Sequence, residues 1–280
     1  MQFDMGQAWN DGMARVSANA SLLAILGGVF FFLPTVIMYL IRPELLDMSM
    51  APAGDPEAVK HMLEGILPTV VPLILVVMLA SFVGYSAMIV LIGDTRRVSV
   101  GEAISVGFRT LLPLIGVFVL AMLGYVLAAI VLGVVLGVVV AVLAMVSSAL
   151  AYVVALVLGM AMVLALLMAV TRLSMTLPVI AIEREGNPLG AMKRSWAMTM
   201  PVQWRLLGFY ALLFLAYMVL AMVLFMVMGL ISAAVGSPAV LGFLNGLLGA
   251  AVAMVVSGIV AAIYRQLAGP STASVRETFE

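Results

Sequence analysis

The chain has 280 residues, 65% of them hydrophobic and 9% charged, with a formal net charge of zero. Soluble domains carry roughly 45–50% apolar and about 25% charged residues, so this composition excludes a soluble globular protein and specifies an integral membrane one. Charge balance argues against a nucleic-acid partner, and the absence of cysteine excludes disulfides and thiolate metal sites.

Residues 1–16 hold Asp4, Asp11 and Arg15. Met5, Trp9, Met13 and Val16 recur at helical spacing opposite Gln7, Asp11 and Arg15, which predicts an amphipathic helix at a membrane surface. The uncharged run 16–41 that follows is long enough to span, so no cleavable signal peptide is expected. Residues 42–64 form a loop with Arg42, Lys60, five carboxylates and His61, the one histidine of the chain. A lone histidine does not make a zinc site, and Glu57 and Glu64 beside it read as solvated surface. Run 65–93 is a second span.

At 94–109 comes a second amphipathic segment, with Val100, Ile104, Phe108 and Leu111 opposite Glu102, Ser105 and Arg109. The uncharged run 110–171 has 62 residues, room for two helices and a turn. That turn is placed at Ser147-Ser148, with the Gly133–Gly137 region as the alternative. Residues 172–205 contain the third amphipathic segment, where Leu189, Met192, Trp196 and Met200 oppose Lys193, Arg194 and Thr199. Asn187 is suited to cap it, Pro188 to its first turn and Pro201 to its end. Run 206–264, of 59 residues, holds two further spans joined at Gly236-Ser237-Pro238, followed by a polar tail, 269–280.

Six spans put the N-terminus, 94–109, 172–205 and the tail on one side. That side carries eleven basic residues against two, Arg42 and Lys60, on the other, which predicts that both termini are cytoplasmic. Gly6, Gly101 and Gly190 open the three amphipathic segments, and each segment leads into two spans. The expected fold is therefore an all-α integral membrane protein, a single membrane domain over 1–280. Its six transmembrane helices form three repeats, about 1–93, 94–182 and 183–268, each an interfacial amphipathic helix plus a transmembrane hairpin.

The middles of the spans contain no Asp, Glu, Lys, Arg or His, which argues against proton- or ion-coupled carriers. Polar groups there are few, and Asn245, the costliest to leave unpaired, is expected to bond another helix. Gly133/Gly137 and Gly242/Gly246 have the small-xxx-small spacing of close helix packing. No phosphate loop, no G-x-S-x-G and no H-E-x-x-H occurs, and the 23 methionines are scattered as packing rather than clustered as a copper path. No cofactor, catalytic group or metal site is expected. Arg109, Arg172, Arg205 and Arg265 each border a long apolar run; with Lys193 and Arg194 they are candidate contacts to anionic lipid headgroups. Snorkelling anchors are the plainer reading of the same residues.

The stretch "LPVIAIEREGNPLGAMKRSWAMT", with Pro178-Val179-Ile180, the acidic turn Glu183–Gly186 and the "PLGAMKRSW" helix, carries a family resemblance. Together with "GDTRRVSVGEAI" and "IYRQL" it resembles the glycerophosphoryl diester phosphodiesterase membrane-domain family and related bacterial inner-membrane proteins. Nothing corresponds to the catalytic domain attached in some members, so the resemblance implies a polytopic envelope protein linked to lipid or membrane homeostasis, with no site residues to transfer. The function expected is non-enzymatic binding or organisation of membrane lipids, or of a membrane partner. The alternative is a transporter or channel for a lipid-like or neutral substrate, and a membrane-embedded enzyme ranks third.

Overall fold

A computed structural model describes residues 3–41, 56–94, 98–235 and 238–269, and within these the chain is entirely helical. Six helices are long and apolar enough to cross a membrane, as a polytopic membrane protein requires.

Helix α1 (Met5–Ala18) starts at Asp4, whose Oδ1 accepts from Gln7 N at 2.8 Å. It stops at Asn19, whose side chain donates to the Arg15 carbonyl at 3.0 Å and satisfies one orphan of the last turn. The first span is then built from α2 (Ala20–Gly27), a π-helical turn (Gly28–Phe32) and α3 (Leu33–Ile41). Pro34 explains the π turn: it lacks the N–H that would bond the Phe30 carbonyl, and the wider turn absorbs the defect. Helix α4 (Pro56–Gly93) carries the second span despite Pro68 and Pro72.

Helix α5 (Val100–Ala144) is capped by Ser99, which accepts from Glu102 N at 3.2 Å. It runs unbroken for 45 residues, about 68 Å at 1.5 Å per residue. The expected interfacial helix at 94–109 is therefore not a separate element: the helix runs on through Pro113, and amphipathic segment and span are one rod. The turn to α6 (Ser148–Leu173) lies at Met145–Ser147, with Ser147 as the cap, and not at Gly133–Gly137. A kink at Ser174–Met175, unmarked in the hydropathy pattern, sets off α7 (Thr176–Ile182). Helix α8 (Pro188–Thr199) begins at Asn187, which accepts from Leu189 N and Gly190 N, and a 3-10 turn at Met200–Val202 containing Pro201 leads into α9 (Gln203–Val235). Pro238 opens α10 (Pro238–Ala268); Gly236 and Ser237 of the expected turn lie outside the described residues, as does the loop around Arg42.

Helix α10 is the hub, touching α1, α2, α3, α4, α7, α8 and α9. One buried cluster joins Phe3, Ala8, Met175, Val179, Ala191, Leu206 and Ile263, and a second joins Leu23, Leu26, Val83, Met88, Ala103 and Ala253. Lipid tails are as apolar as leucine, so no hydrophobic force pulls these helices together; close packing of small residues must.

The three amphipathic segments show that rule. Counted from the caps Asp4, Ser99 and Asn187, the fourth residue is Ala8, Ala103 or Ala191, each 0% exposed, and the eighth is Gly12, Gly107 or Ser195, each buried. Each eighth residue meets the backbone of a preceding or closing span. A Cβ on Gly12 would lie 3.2 Å from the Gly258 carbonyl oxygen, one on Gly107 2.7 Å from the Val83 oxygen, and Ser195 Oγ donates to the Arg172 oxygen at 2.7 Å. Val83, Arg172 and Gly258 each stand ten residues before a helix end, at Gly93, Ile182 and Ala268.

These inward positions differ from the residues that marked the segments in sequence. The opening glycines are not the contact points, since a Cβ on Gly101 would touch nothing and one on Gly6 only its neighbouring Asp4. The bulky stripes are divided: Met5, Met13, Val16, Val100, Ile104 and Leu111 pack against the two buried clusters, whereas Trp9, Phe108 and Met200 are exposed; Thr199, assigned to the polar face, is fully buried. Small residues give the closest backbone approach, and the largest side chains of each stripe turn outward. Asn245 likewise donates to the Leu241 carbonyl of its own helix at 3.0 Å rather than to another helix. Gly242 and Gly246 do pack closely, against Tyr39 and Phe32, but Gly133 and Gly137 have no neighbour.

Candidate functional site

The polar contacts gather at one end of the bundle, where α1, α8 and the first turns of α5 and α9 meet the last turns of α4, α7 and α10. Asp4 and Gln266 exchange backbone–side-chain hydrogen bonds at 3.2 and 3.3 Å, tying α1 to α10. Arg15 donates to the Ile92 carbonyl at 2.9 Å. Its pKa is lowered, chiefly by burial and then by the nearby Arg265 guanidinium, with Asp11 opposing both. Glu183 accepts from Tyr264 OH at 2.9 Å and pairs with Arg194 at 3.4 Å. These links join the segments that the basic-residue count placed on one side; Arg96, Arg97 and Arg276 lie outside the described residues.

The α6–α7 kink is the most heavily bonded point. Ser195 Oγ donates to the Arg172 carbonyl and accepts from Met175 N at 3.2 Å, so one hydroxyl serves both sides of the break. Thr199 adds a 3.2 Å bond to the same carbonyl, and Tyr210 OH donates to Ser174 Oγ at 3.0 Å. The Arg172 guanidinium lies 4.4 Å from the Trp196 ring centroid, and its Nε and a terminal nitrogen both donate to Gln203 Oε1. This hydroxyl cluster escaped sequence reading because isolated Ser and Thr in an amphipathic segment read as its polar face. The signal was the pairing of Ser195 and Thr199 one turn apart, with Ala191 one turn earlier.

A cavity of about 450 Å³ opens between α5 and the α7–α8 loop, lined by Glu102, Ser105, Arg109, Thr110, Arg184 and Glu185 among others. Arg184 holds the left-handed conformation, φ 58°, which is uncommon outside glycine and turns the chain between α7 and α8. Its guanidinium is 3.7 Å from Glu102, an exposed ion pair of small energetic worth. Glu185 is engaged by Asn187 N at 3.0 Å. Arg109 makes no hydrogen bond or ion pair among the described residues.

The six predicted basic residues therefore stand in different settings. Arg109 lines the cavity, Arg172 is half-buried against Trp196 and Gln203, and Arg194 pairs with Glu183. Arg265 is exposed near Arg15, and Arg205 and Lys193 are exposed. Sequence reasoning missed Arg15, which borders the run 16–41 but was not chosen, and Arg184, which borders no apolar run. No group of three or more potential metal ligands occurs among the described residues, and His61 is not among the side chains described. No family model, no curated protein and no solved structure matches this chain.

Proposed function

We propose that this is a non-enzymatic, multi-pass protein of the bacterial inner membrane that binds phospholipid through headgroup phosphate at its basic, cytoplasmic end. The observation that carries this reading is Arg109: a guanidinium without a partner among the described residues, lining a polar cavity together with Arg184. A guanidinium presents planar paired donors to phosphate, and near an anionic surface each basic residue contributes about 1 kcal/mol. Arg15 and Arg265 support it from across the bundle, since two neighbouring guanidiniums are relieved by an anion between them. The family resemblance to membrane-domain proteins of the glycerophosphoryl diester phosphodiesterase group belongs to the same proposal.

The architecture in this reading is a ring of three units. Each amphipathic helix seats its small face on the second span of the preceding unit, and the first seats on the last. The equal offsets from caps and helix ends support the repeat, with the third unit shifted by one residue from a glycine-based alignment.

Native mass spectrometry of purified protein tests the binding. Phosphatidylglycerol and cardiolipin should be retained, and Arg109→Gln with Arg184→Gln should reduce retention several-fold in folded protein. Unchanged retention would leave these arginines as anchors. Sidedness is checked by single cysteines, which the chain lacks naturally. Met145→Cys should react with an impermeant maleimide in intact cells, and Gly186→Cys only after permeabilisation.

A further inference from the structure

We infer that the groove between α9 and α10 holds the acyl chain of one phospholipid; the inference rests on the lipid-binding reading above and gives it a second, independent contact. The groove has a volume of about 600 Å³ and an almost wholly apolar lining, with Tyr210 and Leu224 marking its extent on α9 and Val260 and Leu248 on α10. Trp9 reaches into its mouth from α1.

Both walls are membrane spans, so the medium at its open side is lipid. Leu248 to Val260 is twelve residues, about 18 Å of helix. That is close to the thickness of one leaflet, about half of a 30 Å hydrocarbon core. The length and the medium point to the occupant. A groove apolar along both walls, open to lipid and about one leaflet long takes a hydrocarbon chain from the medium itself, and no partner or second copy is needed to cover it.

The mouth also suits a lipid. It opens at the basic end, and Trp9 places an amphipathic ring at the headgroup level, where tryptophan partitions. Tyr210 closes that end on one side, its hydroxyl held by Ser174. The chain would enter between Trp9 and Tyr210 with its ester region among the interfacial side chains.

The test uses the full chain in detergent with Trp196→Phe and Trp204→Phe, which leaves Trp9 as the sole tryptophan. The probe is phosphatidylcholine with a dibrominated acyl chain, whose bromines quench indole on contact. Its headgroup carries no net charge, so this measures the groove separately from any anion site. Saturable quenching near one lipid per chain, reversed by unbrominated phosphatidylcholine, is expected. Ala216→Phe on α9 and Ala251→Phe on α10 fill the groove from opposite walls and should each weaken that binding at least tenfold. Ala161→Phe, on the outer surface of α6, should leave it unchanged. The absence of saturable, competable quenching in the unfilled groove overturns the inference without recourse to any variant. So does undiminished quenching in a folded filled variant, and so does a filled variant whose only change is loss of a dimer. If the chain binds but Arg109→Gln and Arg184→Gln leave anionic-lipid retention intact, the headgroup reading falls and the groove stands; the reverse pattern removes only the groove.

Discussion

Gly107 and Gly133 lie on the same helix and meet opposite surroundings. A methyl group added to Gly107 would lie 2.7 Å from the Val83 carbonyl oxygen; one added to Gly133 would meet nothing within 4 Å. The contrast holds for the regions around them. In the body, Gly12, Gly84 and Gly258 are sites of close backbone or ring approach, whereas Gly124, Gly137 and Gly159 of the α5–α6 hairpin stand open. The most hydrophobic window of the hairpin's first helix has a mean hydropathy of 3.2 and none of it is buried; that of α10 has 2.3 and half is buried. Greasiness thus marks what faces lipid, and smallness marks what faces protein, the inverse of the rule for soluble domains.

The sharpest way to break this comparison is to overfill the body. Gly258→Leu would drive a side chain into Val16, 2.4 Å from the Cβ position, and into the Gly12 oxygen at 2.9 Å. Separation of α1 from α10 and loss of monodisperse protein on size-exclusion chromatography are expected. Leu206→Ala, at a fully buried position, should cost about 2–5 kcal/mol in an unfolding titration in mixed micelles. Gly107→Ala should cost about 1–3 kcal/mol in the same assay, because a backbone oxygen must give way. Ser195→Ala removes the hydroxyl shared by the Arg172 carbonyl and Met175 N, at about 1–2 kcal/mol, with the loss seen as faster hydrogen exchange at residues 172–178. The smallest effect has the opposite sign: Gly133→Ala should leave stability unchanged or raise it by up to about 1 kcal/mol through helix propensity. Equal penalties for Gly107→Ala and Gly133→Ala would erase the distinction between the two regions.

What sequence could reveal follows from the same physics. Charge-free runs located six helices long and apolar enough to span, because ionisable groups are costly at membrane depth. The turn at Ser147-Ser148 and the cap at Asn187 were readable because local hydrogen bonding at a helix start is a short-range property. Three things were not readable. The unbroken course of α5 runs past Leu111 and through Pro113, a residue that by itself signals a helix stop. The Ser174–Met175 kink is stabilised by Ser195 and Thr199, some twenty residues on. The inward faces Ala8/Gly12, Ala103/Gly107 and Ala191/Ser195 were masked by conspicuous bulky stripes beside them. Of the candidate site, the border arginines were visible from sequence, but their separate settings, and the contribution of Arg184 from a left-handed turn, depend on tertiary packing.

The seating of α1 on α10 has a consequence in time. Asp4 and Gln266 are 262 residues apart in sequence, and Gly258, which receives Gly12, is made 246 residues after it. At 5–20 residues per second, α1 waits roughly 13–50 s after it emerges before its seat exists. Through that interval its alanine–glycine face stays without the partner it packs against in the bundle. Seating of α1 thus waits for α10, and truncation anywhere before Gly258 leaves α1 without a place to dock.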